Sequence, residues 1–95
     1  MKVKFTDRVK SDLAHIKSWI AADNPRAASR VVGRILQSAE LLVDFPYLGV
    51  LWNTGPTRAL GVSRLPDRIH YRVVVESEMV QVITVMHTSR KGPRL

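Results

Sequence analysis

Cysteine is absent from this 95-residue chain. That excludes a disulfide framework and a thiolate metal site. No apolar run approaches the ~18 residues of a membrane-span candidate. The basic start "MKVKFTDRV" has no apolar stretch behind it, so it does not read as a signal peptide. A cytoplasmic location is the expectation. There is no HExxH, no paired-carboxylate motif and no glycine-rich phosphate loop, and His15, His70 and His87 do not have metal-ligand spacing. Neither a metal nor a cofactor is expected. No repeat, linker or low-complexity stretch divides the chain, so residues 1–95 are expected to form a single domain. Acidic residues are scarce: eight Asp and Glu stand against fifteen Lys and Arg, a net charge of +7. Such a surplus attracts acidic partners over long range, either nucleic acid or an acidic protein.

What is present is ordinary for a folded chain: 45% hydrophobic and 24% charged residues. A chain of this size buries roughly 60–70% of its unfolded surface, enough for one modest core. "KVKFT" alternates charged and apolar residues, which predicts a strand with one wet face. Thr6 is placed to cap the helix that follows, with Asp7 in its first turn. Val9, Leu13, Ile16 and Ile20 recur at helical spacing and predict a helix over 7–22. Asn24 as N-cap and Pro25 at the first helical position start a second helix over 25–43. Its apolar face is Ala28, Val31, Val32, Ile35, Ala39 and Leu42. So short a link makes the pair an antiparallel hairpin.

"FPYLGVLWNTGPT" holds two prolines and two glycines and reads as a loop. "RALGVSRL" reads as a strand, with Leu60 and Val62 alternating. "RIHYRVVVE" is a clearer strand, with Ile69, Tyr71, Val73 and Val75 on one face and His70, Arg72, Val74 and Glu76 on the other. "ESEM" turns the chain, and "MVQVITVMH" returns it. Apolar residues on both faces of that last strand place it inside the sheet. The expected class is therefore α+β, in the order β-α-α-β-β-β, with the helical hairpin packed on a small, mainly antiparallel sheet.

Four stretches, in order and at matching spacing, resemble the ParE/RelE superfamily of bacterial toxins. They are "FTDRVKSDLAHIKSWIAADNPRAASRVVGRIL", "LLVDFPYLG", "RIHYRVV" and "VMHTSR". The similarity is greatest to ParE-like toxins. It implies the toxin of a type II toxin–antitoxin module, neutralised by a cognate acidic antitoxin. A ParE-like toxin inhibits DNA gyrase, trapping it on cleaved DNA, and needs no catalytic residue. The alternative within the superfamily is a RelE-like endoribonuclease that cuts mRNA on the ribosome. Fold alone does not choose between them. A third reading, from composition, is a basic nucleic-acid-binding domain that poisons nothing.

The ribonuclease reading needs a base, an acid and cations for the phosphorane charge. Arg68, His87 and Arg90 are its candidates, with His87 chosen because a histidine side chain ordinarily titrates near neutral pH. Arg68 falls where the resemblance puts an arginine, at the start of the "Y-x-V" strand. No Tyr or His follows His87, so the constellation is incomplete. His87 reads first as a strand-end histidine bonded to backbone, and Arg68 and Arg90 equally as solvated charge or surface ion pairs. The gyrase reading instead makes the basic stub after the last strand a target-binding surface: Thr88, Ser89, Arg90, Lys91 and Arg94. Trp19 is expected at the core edge. Trp52, in the loop, is expected either to plug the side of the core or to stand out as an anchor for a partner.

Overall fold

The computed structural model describes residues 1–52 and 55–87, the last of these for its backbone only. The elements run β1 (Lys2–Phe5), α1 (Asp7–Ala21), α2 (Pro25–Asp44), β2 (Val50–Leu51), β3 (Arg58–Gly61), β4 (Asp67–Val74) and β5 (Met79–His87), with a 3-10 turn at Val75–Ser77. The strands make one sheet in the order β1-β5-β4-β3-β2. β1 lies parallel to β5, and every other pair is antiparallel.

Both helices begin where their caps require. The Thr6 hydroxyl accepts from the Val9 amide, and the Asn24 side chain accepts from the Ala27 amide. Each satisfies an amide that the helix itself leaves without a partner. The hairpin turns its apolar stripes to one face of the sheet. Val9, Ile16, Ile35, Ala39 and Leu42 meet Ile69, Tyr71, Val80, Val82 and Val85 in a single core. Trp19, expected at the core edge, is half exposed.

Three expectations are corrected. β4 ends at Val74, so Val75 and Glu76, expected on its two faces, lie in the 3-10 turn, with Val75 60% exposed. The segment read wholly as a loop contains a two-residue edge strand, β2, which pairs with β3 through Val50↔Ala59 and Leu51↔Arg58. The strand read over 58–65 stops at Gly61. There the chain turns, with Leu65 N–H donating to the Val62 carbonyl and Arg64 in the left-handed region at φ 64°. Glycine usually occupies that turn position, so "VSRL" carries no turn signal.

β5 is interior, as its apolar character implied, but it is not regular. His70 pairs with Thr84 and Tyr71 with Val82, so Ile83 is an extra residue on the β5 side. This bulge shifts the core-facing residues from Val80 and Val82 to Val85, all three buried. It is held from outside the sheet. Thr6 donates its hydroxyl to the Ile83 carbonyl at 3.1 Å. Asp12 of α1 accepts from the Thr84 hydroxyl at 2.6 Å and from the Val85 amide at 3.0 Å.

Candidate functional site

The helices cover one face of the sheet. The other face is open, and strand alternation decides what it carries. Ile69 and Tyr71 point to the helices, so Arg68, His70 and Arg72 of β4 lie on the open side. Val3 and Phe5 pack against the core, so Lys2 and Lys4 of β1 lie there too. Lys4, Gln81 and Arg72 fall in one row across three strands. Arg72 Nε donates to Gln81 Oε1 at 2.9 Å. Lys2, Lys4, Arg68 and Arg72 are all exposed.

At the β2 end of this face, Trp52 lies across the sheet. Its ring centroid is 5.1 Å from that of His70, nearly perpendicular to it, and the Arg68 guanidinium sits 5.6 Å from the Trp52 centroid. Trp52, expected either to plug the side of the core or to stand out as an anchor, packs instead on the open face of the sheet. It covers His70, which keeps 7% exposure, while remaining 36% exposed itself. His70 Nε2 is buried with no hydrogen-bond partner among the described residues. Burial, and then the charge of Arg68, hold the His70 pKa below its ordinary value.

The folded state therefore favours neutral His70, while the unfolded chain protonates near the usual value of about 6.5. The contribution to stability is full above that pH. It is lost as pH falls below it toward the lowered folded value, because there the unfolded state binds more protons. The melting temperature is expected to fall between about pH 7 and pH 5, and to fall less in His70→Phe, which keeps the ring contact but cannot be protonated. Thermal melts of the two proteins across that range check this. Equal slopes would show that His70 contributes nothing.

The loop that carries Trp52 is anchored from the core. Tyr71 is wholly buried, and its hydroxyl accepts from the Gly49 amide at 2.8 Å. Burial raises the Tyr71 pKa, so the phenol stays neutral. Arg58 donates to the Gly49 carbonyl at 2.7 Å and lies 5.0 Å from the Tyr47 ring centroid. Beyond this anchor the segment is apolar and open: Phe45, Tyr47, Leu48, Val50 and Leu51 are all about half exposed or more.

Of the residues proposed from sequence, Arg68 stands on the open face against Trp52. His87 ends β5, its backbone paired with Asp67, one step along the ladder from the Arg68–Met86 pair. The ladder therefore does not bring the two together on one face: Arg68 shares the open face with Met86, while His87 is paired with the helix-side Asp67. Thr88, Ser89, Arg90, Lys91 and Arg94 lie outside the described residues. Sequence reasoning missed the Trp52–His70–Arg68 contact, since nothing local joins a loop tryptophan to a strand sixteen residues on. It also missed Asp12, which looks in sequence like any solvated helix carboxylate. Among the described residues no group of three or more His, Asp or Glu gathers as a metal site would require. No described helix is long and apolar enough to cross a membrane.

Residues 3–92 match the family model described as the ParE toxin of the type II toxin–antitoxin system parDE. A Sinorhizobium fredii protein, Y4kP, whose name designates it a toxin, is 33% identical over 94 residues, covering 99% of this chain and 95% of its own. Among solved structures, the chromosomal ParDE system of P. aeruginosa superposes with a TM-score of 0.79 at 22% identity, covering 92% of this chain and 95% of that one. The RelBE2 toxin–antitoxin complex of Mycobacterium tuberculosis gives 0.67 at 23% identity, covering 90% and 95%. The intact E. coli RelBE complex gives 0.58 at 14% identity, covering 88% and 92%.

Proposed function

Since the chain belongs to the ParE toxin family of type II toxin–antitoxin systems, we propose that it inhibits DNA gyrase and is neutralised by a cognate acidic antitoxin. The observation that carries this is the family match over nearly the whole chain. The fold likeness adds support for an antitoxin partner, because the similar folds are known from toxin–antitoxin systems. The charge of +7 suits an acidic antitoxin, one partly disordered alone that folds as it wraps the toxin. A gyrase target places the chain's action in the cytoplasm. The target contact includes Thr88, Ser89, Arg90, Lys91 and Arg94, which continue the chain from the end of β5.

Such a poison acts by binding, and no proton has to move at His87. In a supercoiling assay the purified protein is expected to inhibit gyrase and leave cleaved DNA. The product of an adjacent reading frame relieves the inhibition. Removing residues 90–95 weakens inhibition without lowering the melting temperature. His87→Ala is expected to keep most of the activity. The ribonuclease alternative predicts the reverse: mRNA cut on translating ribosomes, and a loss of about 10²–10⁴ in rate on removing a general acid or base at His87. That outcome, with gyrase unaffected, would replace the present reading.

A further inference from the structure

The distribution of charge, more than its total, distinguishes the open face of the sheet. All eight carboxylates of the chain can be placed. Asp7 and Asp12 are on α1, Asp23 is in the link, and Glu40 and Asp44 are on α2. Asp67 is buried, on the helix side of β4 by alternation. Glu76 and Glu78 are in the turn between β4 and β5. None falls on a strand of the open face, where Lys2, Lys4, Arg68 and Arg72 all stand exposed, although Glu76 and Glu78 line a surface pocket with Lys2 at the turn end. The helix side, by contrast, mixes signs, as in the Arg8–Asp12 pair at 4.0 Å.

We infer that this face is a binding site for single-stranded DNA, with the four cations along the phosphates and Trp52 as the stacking platform. This rests on the proposed function, whose target complex holds DNA, and adds a second contact to it. Three observations favour nucleic acid over an acidic protein segment. Lys4 on β1 and Arg68 and Arg72 on β4 flank β5 with charge of one sign, which suits a repeating line of phosphates. The Arg68 guanidinium sits over the exposed Trp52 ring, 5.6 Å from its centroid, an arrangement that also accepts a base. The buried Nε2 of His70 lies beside that ring, a polar atom that a base edge can reach when Trp52 shifts. Nothing in the arrangement reads base identity, so binding is expected to be sequence-tolerant.

The test is fluorescence anisotropy with the full chain, without gyrase, on a labelled oligothymidylate of about 12 nucleotides. With four phosphates neutralised, the affinity should drop roughly 50-fold between about 50 and 200 mM salt. Lys4→Gln with Arg72→Gln should cut the logarithmic salt slope by about 1.4. Arg26→Gln with Arg30→Gln, an equal charge change on exposed positions of α2, should leave the slope as it was. A second open-face pair, Lys2→Gln with Arg68→Gln, guards against misfolding of the first, and melts are run on all three. No binding, or equal losses from the open-face and α2 pairs, overturns the inference. So does an open-face variant that loses the acidic antitoxin and keeps DNA, which would make the face a protein interface. A chain that inhibits gyrase without binding DNA overturns this inference alone. One that binds DNA and leaves gyrase untouched overturns the proposed function alone.

Discussion

Tyr71→Ala is expected to remove most of the stability of the fold. Tyr71 is fully buried at the middle of β4, and truncating a buried aromatic costs about 3–5 kcal/mol. A domain of this size has only about 5–15 kcal/mol in total. The side chain has two roles that other variants separate. Tyr71→Phe keeps the ring and deletes the acceptor for the Gly49 amide, leaving a buried N–H unpaired at about 1–3 kcal/mol. Gly49→Ala keeps the phenol and attacks the same contact from the other side. A Cβ there would lie 2.8 Å from the Ala59 carbonyl oxygen and 2.9 Å from two Tyr71 atoms. A backbone carbonyl cannot swing aside, so the loop must lift. Denaturant midpoints should fall in the order wild type, Tyr71→Phe, Tyr71→Ala. In a Trp19→Phe background, Trp52 emission should shift red in both Tyr71→Phe and Gly49→Ala as the ring leaves His70. If Tyr71→Phe matched wild type in both readouts, the anchoring of the loop from the core would be refuted.

That anchor also marks the limit of what the amino-acid order discloses. Thr6 and Asn24 announce their helices because a cap acts on amides two or three residues away. The helix stripes are legible because their period repeats over several turns. β2 is different. It exists because Tyr71, twenty-two residues on, and Arg58, nine residues on, tie down Gly49. A window over "FPYLGVLW" contains neither partner. The turn at Arg64 hides for another reason: an arginine sits where glycine would have signalled it. The candidate site divides in the same way. The cations of β4 and the register that aligns them are readable from alternation. The Trp52–His70–Arg68 contact is not, since it depends on where an irregular loop is fastened.

The bulge in β5 is the subtlest of these features, and Asp12 tests it. In "VQVITVMH" either register offers apolar residues to the core, so periodicity alone cannot locate the slip at Ile83. What selects it is α1, through the hydroxyl of Thr6 and the carboxylate of Asp12. Asp12→Ala would remove a charged acceptor from both the Thr84 hydroxyl and the Val85 amide. Hydrogen bonds to a charged group are worth about 1.5–3 kcal/mol each, so a loss of about 3 kcal/mol is expected. Asp12→Asn keeps an acceptor oxygen without the charge and should lose less than half of that. The consequence reaches past stability. Without the bulge, Val85 would turn out of the core, and Thr84 and Met86 would turn in, because a one-residue slip exchanges the faces of a strand. Thr84, Val85 and Met86 would then each face the opposite side of the sheet. Asp12→Ala should therefore speed amide exchange at Val85, Met86 and His87 ahead of Val80 and Val82, which stay braced by β1. If the proposed gyrase activity holds, inhibition should fall by more than the folded fraction does, since the end of β5 is out of register in the molecules that remain folded. Exchange that quickened uniformly along β5, with inhibition tracking the folded fraction alone, would reduce Asp12 to a general stabiliser with no part in aiming the chain.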